Sequence, residues 1–204
     1  MRSTEEIKKQ NQKTIILLIL AFLMPVLAAY LIYLNMGEAG KTRNNGELII
    51  PPRPLENFQL NTSAAKQFGF KELQGNWHLV YIGNGQCSTA CRDRLSMMHQ
   101  TRMGQGKAMS RVRLIYIALA GIQKGEAKTL KEEYSRLTVL TGNSEQIKAT
   151  LNQFKTDDAV NIREDNMIFM IDPLGNLMMR YKQDVRLIGI IKDLEHLLKI
   201  SQIG

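Results

Sequence analysis

Two thiols, Cys87 and Cys91, are the only cysteines in the 204-residue chain, and they stand four positions apart. On a helix that spacing puts both side chains on one face, with Cα atoms roughly 6 Å apart, inside the range a disulfide bridges. Such a pair has three chemical uses. It is a reversible disulfide, a set of two soft ligands for one ion such as Cu(I), or a permanent staple formed on export. A helix N-terminus would add positive potential that favours thiolate over thiol, and Arg92 and Arg94 just downstream would add to it. The spacing alone leaves all three uses open.

The elements around the pair narrow its placement. Trp77 to Gly83 (WHLVYIG) is a short apolar run that reads as a buried strand; Asn84-Gly85 is a turn signal, and Cys87 to Gln105 has helical periodicity through Leu95, Met98, His99 and Arg102. Arg111 to Leu119 (RVRLIYIAL) is a second β-branched run. Two strands separated by a helix lie parallel, so this is a βαβ unit with the cysteines at its first strand-to-helix turn. Lys128 to Arg136 reads as a weaker helix leading into LTVL at Leu137 to Leu140, and Gly142-Asn143-Ser144 opens a helix from Glu145 to about Phe154, with Ser144 as its N-cap. Met167 to Ile171 and Leu177 to Tyr181 form a β-hairpin around Asp172-Pro173-Leu174-Gly175-Asn176. Val185 to Ile200 carries Leu187, Ile188, Ile191, Leu194, Leu197 and Leu198 at three- and four-residue steps, an amphipathic helix that packs on the sheet.

Upstream, Thr14 to Leu34 (TIILLILAFLMPVLAAYLIYL) is uncharged and about as long as a helix needs to cross the hydrocarbon of a bilayer. It exceeds the apolar core of a usual signal peptide, so the reading is a retained anchor. Arg2, Lys8, Lys9 and Lys13 precede it, whereas only Lys41 and Arg43 follow closely, which places the N-terminus in the cytoplasm and exports the rest. The expected layout is a cytoplasmic arm at 1–13, a transmembrane helix at 14–34, a Gly- and Pro-rich linker at 35–54, and a domain at 55–204. The net charge is +8, and removing the arm's four bases and two acids leaves +6 on the exported part. Its bases are scattered, without blocks or interleaved aromatics, which argues for a solvated surface near anionic headgroups over a nucleic-acid site.

A Cys-x-x-x-Cys directly after the first strand of a βαβ unit resembles the Sco/SenC family, thioredoxin-fold proteins that assist assembly of the copper site of cytochrome c oxidase. The resemblance rests on Phe58-Gln59-Leu60, on Gly75 to Gly83 as first strand, on Cys87-Ser88-Thr89-Ala90-Cys91, on Leu140-Thr141-Gly142 and on the Ile171 to Gly175 hairpin. It covers roughly Leu55 to Ile200 and includes the N-terminal anchor. It implies an α/β, thioredoxin-like domain behind a single transmembrane helix, held at the bacterial inner membrane with the domain in the periplasm. The implied partners are cytochrome c oxidase subunits or assembly factors, and the implied cofactor is copper on Cys87 and Cys91.

The sequence departs from that family at its third ligand. The family's copper-binding histidine slot falls on Glu164, within Arg163-Glu164-Asp165-Asn166, where carboxylates offer hard oxygens that suit Cu(I) poorly. The prolines that commonly flank the family's cysteines are replaced by Ser88 and Arg92. His78 falls in a predicted strand, His99 about two turns past Cys91, and His196 in the last helix; packing or solvent accounts for each. Met97, Met98, Met103 and Met109 form a thioether set that more simply fills an amphipathic helix's core face. The leading expectation is therefore an accessory or assembly factor of a haem–copper oxidase acting through its thiols. The alternatives are a general thiol–disulfide oxidoreductase and a non-catalytic membrane subunit with a structural disulfide. Against the enzyme, Ile162 to Met167 has no proline where thioredoxin-like enzymes keep a cis-proline facing their cysteines.

Overall fold

The computed structural model describes residues 4–35, 44–155, 162, 165–201 and 203, in two compact units divided after Arg43. The first is one helix, α1 (Thr4–Asn35), with Pro25 inside it. Its stretch Gln12–Leu31 is long and apolar enough to cross a membrane, and none of it is buried in protein. Its apolar side chains run around the whole circumference of the helix, the pattern of a segment that lipid can cover. The helix also runs back to Thr4, into the stretch expected as a cytoplasmic arm.

The second unit is built on eight strands. In chain order its elements are β1 (Glu47–Pro54), β2 (Gln59–Thr62), β3 (Gln67–Gly69), α2 (Phe70–Leu73), β4 (Trp77–Gly83), α3 (Thr89–Met103) and a 3-10 turn (Gly106–Arg111). There follow β5 (Val112–Ala118), α4 (Lys124–Glu133), β6 (Leu137–Thr141), α5 (Ser144–Phe154), β7 (Ile168–Ile171), β8 (Asn176–Tyr181) and α6 (Leu187–Ile200). The strands form a single sheet in the order β1-β8-β7-β4-β5-β6-β2-β3. β4, β5 and β6 run parallel, as the βαβ reading requires, and β7, β8 and the outer strands pair antiparallel.

The central strands read as continuous apolar runs because both faces of the sheet are covered. On one face Trp77, Leu79, Tyr81, Leu114, Tyr116 and Val139 pack with Leu95 and Met98 of α3, Leu130 of α4 and Leu194 of α6. On the other, Val80, Ile82, Ile115, Ile117, Leu140 and Phe169 pack with Ile147 and Phe154 of α5 and with Leu55, Phe58 and Leu60. The two-residue alternation of the strands sorts these side chains between the faces.

Three expectations need correction. The Pro-rich end of the segment expected as a linker is strand β1, at the sheet edge. Pro51 and Pro52 lie between Leu48 and Arg53, where the register against β8 shifts, so the residues without an N–H occupy an irregular stretch of an edge strand. Helix α3 begins at Thr89, leaving Cys87 ahead of it. The N-cap of α5 is Asn143, one residue before the expected Ser144: its Oδ1 accepts the Gln146 N–H at 2.8 Å, and Gln146 Oε1 accepts the Asn143 N–H at 3.0 Å. An amide that closes this reciprocal pair satisfies two otherwise orphaned donors.

Candidate redox site

The turn after β4 is shaped by glycine and tyrosine before it reaches sulfur. Tyr81 and Tyr116, from adjacent parallel strands, stack with ring centroids 5.7 Å apart. They crowd Gly83, where a Cβ would lie 3.0 Å from Tyr81 Cε1. Gly85 holds φ +121°, and a Cβ there would meet the Gly121 carbonyl oxygen at 2.2 Å, so both conformation and space demand glycine. Tyr116 Oη donates to the Gly85 carbonyl at 3.1 Å and accepts the Gly85 N–H at 3.3 Å. Burial pushes the Tyr116 phenol up to about 12, which keeps it protonated and able to donate. Tyr81 Oη donates to Asn166 Oδ1 at 2.8 Å, tying the turn to the segment before β7, where Asn166 takes φ +45°.

On this platform Cys87 and Cys91 are joined as a disulfide, with Cα atoms 5.2 Å apart. Ser88 caps α3, its Oγ accepting the Cys91 N–H at 3.4 Å, so Cys91 occupies the third position of the helix. The two cysteines differ in burial. Cys91 is buried in the core beside Leu95, whereas Cys87 is half-buried at the surface. The Cys87 N–H, free of the helix, donates to Glu126 Oε1 at 2.9 Å, from the first turn of α4. An acid thus touches the residue for which the sequence suggested basic neighbours. Arg92 pairs with Glu133 at 3.1 Å, and buried Arg94 donates to the Gln183 carbonyl at 2.6 Å and to Met97 Sδ at 3.8 Å. Glu126 lies 39 residues from Cys87 in sequence, and only the Lys124–Glu133 helix start marks it; no local pattern links the two.

The other sequence candidates scatter. Glu164 lies outside the described residues. His78 is buried on the sheet and donates from Nε2 to the Leu73 carbonyl at 3.0 Å; His99 packs edge-on against Tyr134 at 5.9 Å; His196 is exposed. Met98 is core, while Met103 and Met109 are exposed, so the methionines are not gathered on one ion. Among the described residues no three of His, Cys, Asp and Glu converge as metal ligands. The donor set at the turn is two sulfurs with phenol, amide and carboxylate oxygens around them, and such hard oxygens suit Cu(I) poorly.

A mixed sheet whose first parallel strand delivers a cysteine pair to the start of a helix defines a thioredoxin-like redox or metal domain, here accompanied by an apolar helix that can span a membrane. The chain belongs to the family of transmembrane-like, thioredoxin-like, C-terminal domains, whose family profile matches residues 77–201. The resemblance to Sco proteins read from the sequence is borne out. A SCO2-like protein of Rickettsia felis is 27% identical over 122 residues, which span 57% of this chain and 58% of that relative, under two thirds of its length. Among solved structures, copper-bound ScoI of Arabidopsis thaliana superposes with a TM-score of 0.59 at 18% identity, over 71% of this chain and 97% of that one. BsSco, described as a Sco-family cytochrome c oxidase assembly protein with a disulfide switch, gives 0.55 at 18% identity, over 74% of this chain and 96% of its own.

Proposed function

We propose that the chain is a membrane-anchored accessory or assembly factor of a respiratory haem–copper oxidase, working through Cys87 and Cys91 on oxidase subunits or their assembly factors. The observation that carries this reading is the burial difference between the two cysteines at the β4–α3 turn of an Sco-like domain. In the reduced pair, the accessible Cys87 thiolate attacks one sulfur of a partner's disulfide and expels the other as a thiolate. Cys91 then attacks the Cys87 sulfur, releases the partner's second thiolate and closes the Cys87–Cys91 disulfide. Two electrons pass to the partner, and an external dithiol restores the pair. The same asymmetry supports a general thiol–disulfide oxidoreductase, which differs only in its choice of partner.

Copper, which the Arabidopsis relative holds, would have the two cysteine sulfurs as its ligands here, and only after the disulfide is reduced. Since the oxygens hydrogen-bonded around the turn suit Cu(I) poorly, thiol exchange is the chemistry proposed. The apolar helix (14–34) anchors the domain, which includes β1 (Glu47–Pro54), at the outer face of a bacterial inner membrane, with the arm (1–13) in the cytoplasm. Replacing both cysteines by serine in the full-length protein is expected to reduce oxidase activity in isolated membranes severalfold at unchanged protein level. Unchanged oxidase activity would leave the disulfide as a structural staple. Co-purification in mild detergent separates the two exchange readings: oxidase subunits are the expected companions, and a broad set of disulfide-bearing proteins without them would favour the general oxidoreductase.

A further inference from the structure

The contact between Glu126 and Cys87 joins the redox pair to a helix that the exchange reaction does not otherwise use. The carboxylate accepts the Cys87 amide N–H at 2.9 Å. The next two residues, Ser88 and Thr89, turn into α3, so this amide sits ahead of the cap and has no partner in the helix ladder. The hydrogen bond therefore fixes the orientation of the half-buried cysteine.

We infer that Glu126 is a positioning residue for Cys87: its hydrogen bond to the Cys87 amide holds the sulfur in line for exchange. This inference rests on the exchange chemistry proposed above. Reduction by a dithiol then takes up two electrons and two protons, the S–S bond breaking to give two thiols while the donor closes its own disulfide.

The test uses full-length protein in detergent. The reduced pair is mixed with an oxidised dithiol, and the rate at which Cys87 and Cys91 close their disulfide is followed. Glu126→Gln keeps an oxygen to accept the Cys87 amide N–H, and Glu126→Ala removes the acceptor. Glu126→Ala is expected to close its disulfide severalfold more slowly than the parent, and Glu126→Gln to restore most of that rate. Equal closure rates for the Ala and Gln variants overturn the positioning role. These readouts do not depend on a partner: loss of the Glu126 effects leaves the cysteine-to-serine result standing, and an oxidase indifferent to the cysteines leaves the Glu126 effects standing.

Discussion

His78 illustrates what the fold asks of a single side chain. It lies on the sheet face packed by Leu73 with only 2% of its surface exposed, and burial holds its imidazole down to about 4 from an ordinary 6.5, with nearby Arg113 adding to the effect. Nε2 carries the proton toward the Leu73 carbonyl, and Nδ1 is buried without a partner. The folded chain therefore keeps His78 neutral where the unfolded chain has already protonated it. Protons are taken up on unfolding, and stability falls as the pH drops from about 6.5 through 4, then levels. Between pH 7.5 and 5 the loss from this one group is about 2 kcal/mol. Trp77, the sole tryptophan and itself buried, reports denaturant unfolding of the domain by fluorescence. In such titrations His78→Leu should narrow the stability gap between the two pH values by about that amount; an unchanged gap would show that the imidazole is not held neutral. The sequence placed His78 in a strand and read it as packed, and that residue is buried in β4. It also singled out the two cysteines, because their spacing and position after an apolar strand are local signals. Glu126 was not legible, since its role depends on how α4 packs beside the β4–α3 turn.

At the scale of elements, what could be read was what repeats. The strands at 77–83 and 112–118, the hairpin of β7 and β8 and the amphipathic α6 each announce themselves by period or turn chemistry. β2, β3 and α2 are four residues or fewer and carry no period to read. β1 was hidden by its prolines, and its place is fixed from the far end of the chain. Buried Asp193 of α6 accepts the Asn45 N–H at 2.9 Å, the Gly46 N–H at 2.9 Å and the Asn45 side-chain amide at 2.9 Å. Gly46 has no room for a side chain, since a Cβ would meet Tyr181 at 2.5 Å. Just beyond, Glu47 reaches Arg180 at 2.7 Å and also Lys182, on β8 and the residue after it. Those ion pairs are partly solvated and contribute little, whereas the Asp193 carboxylate is desolvated and satisfied by backbone donors. Asp193→Ala is expected to cost roughly 2–4 kcal/mol in the same fluorescence titration. Hydrogen exchange should show early opening confined to the β1 amides, because an edge strand that loses its terminal clamp frays first. Uniform opening of the sheet would mean that Asp193 supports the core in general and does not clamp β1.

For the molecule as a whole, the decisive property is the side of the membrane on which the cysteines work. Thiol exchange at an oxidase's outer face requires the domain to be exported, and a cytosolic location would keep the pair reduced and out of reach of that face. The orientation expected from the sequence rests on charge asymmetry: Arg2, Lys8, Lys9 and Lys13 lie before the apolar span and only Lys41 and Arg43 close behind it. The span itself has no charged residue to bias it either way, so the flanking bases decide. Fused after Gly204, a reporter enzyme that matures only outside the cytoplasm should be active, and a protease added to intact spheroplasts should digest the domain while sparing an epitope at the N-terminus. Replacing the four N-terminal bases by glutamine and adding four lysines between 36 and 43 should invert a measurable fraction of the chains, lowering reporter activity severalfold. In the inverted fraction, trapping of free thiols by a membrane-permeant alkylating agent should find Cys87 and Cys91 reduced, against a disulfide in the parent orientation. An inactive reporter on the unaltered chain, with the domain protected from protease, would put the cysteines in the cytoplasm and take oxidase-side exchange with it.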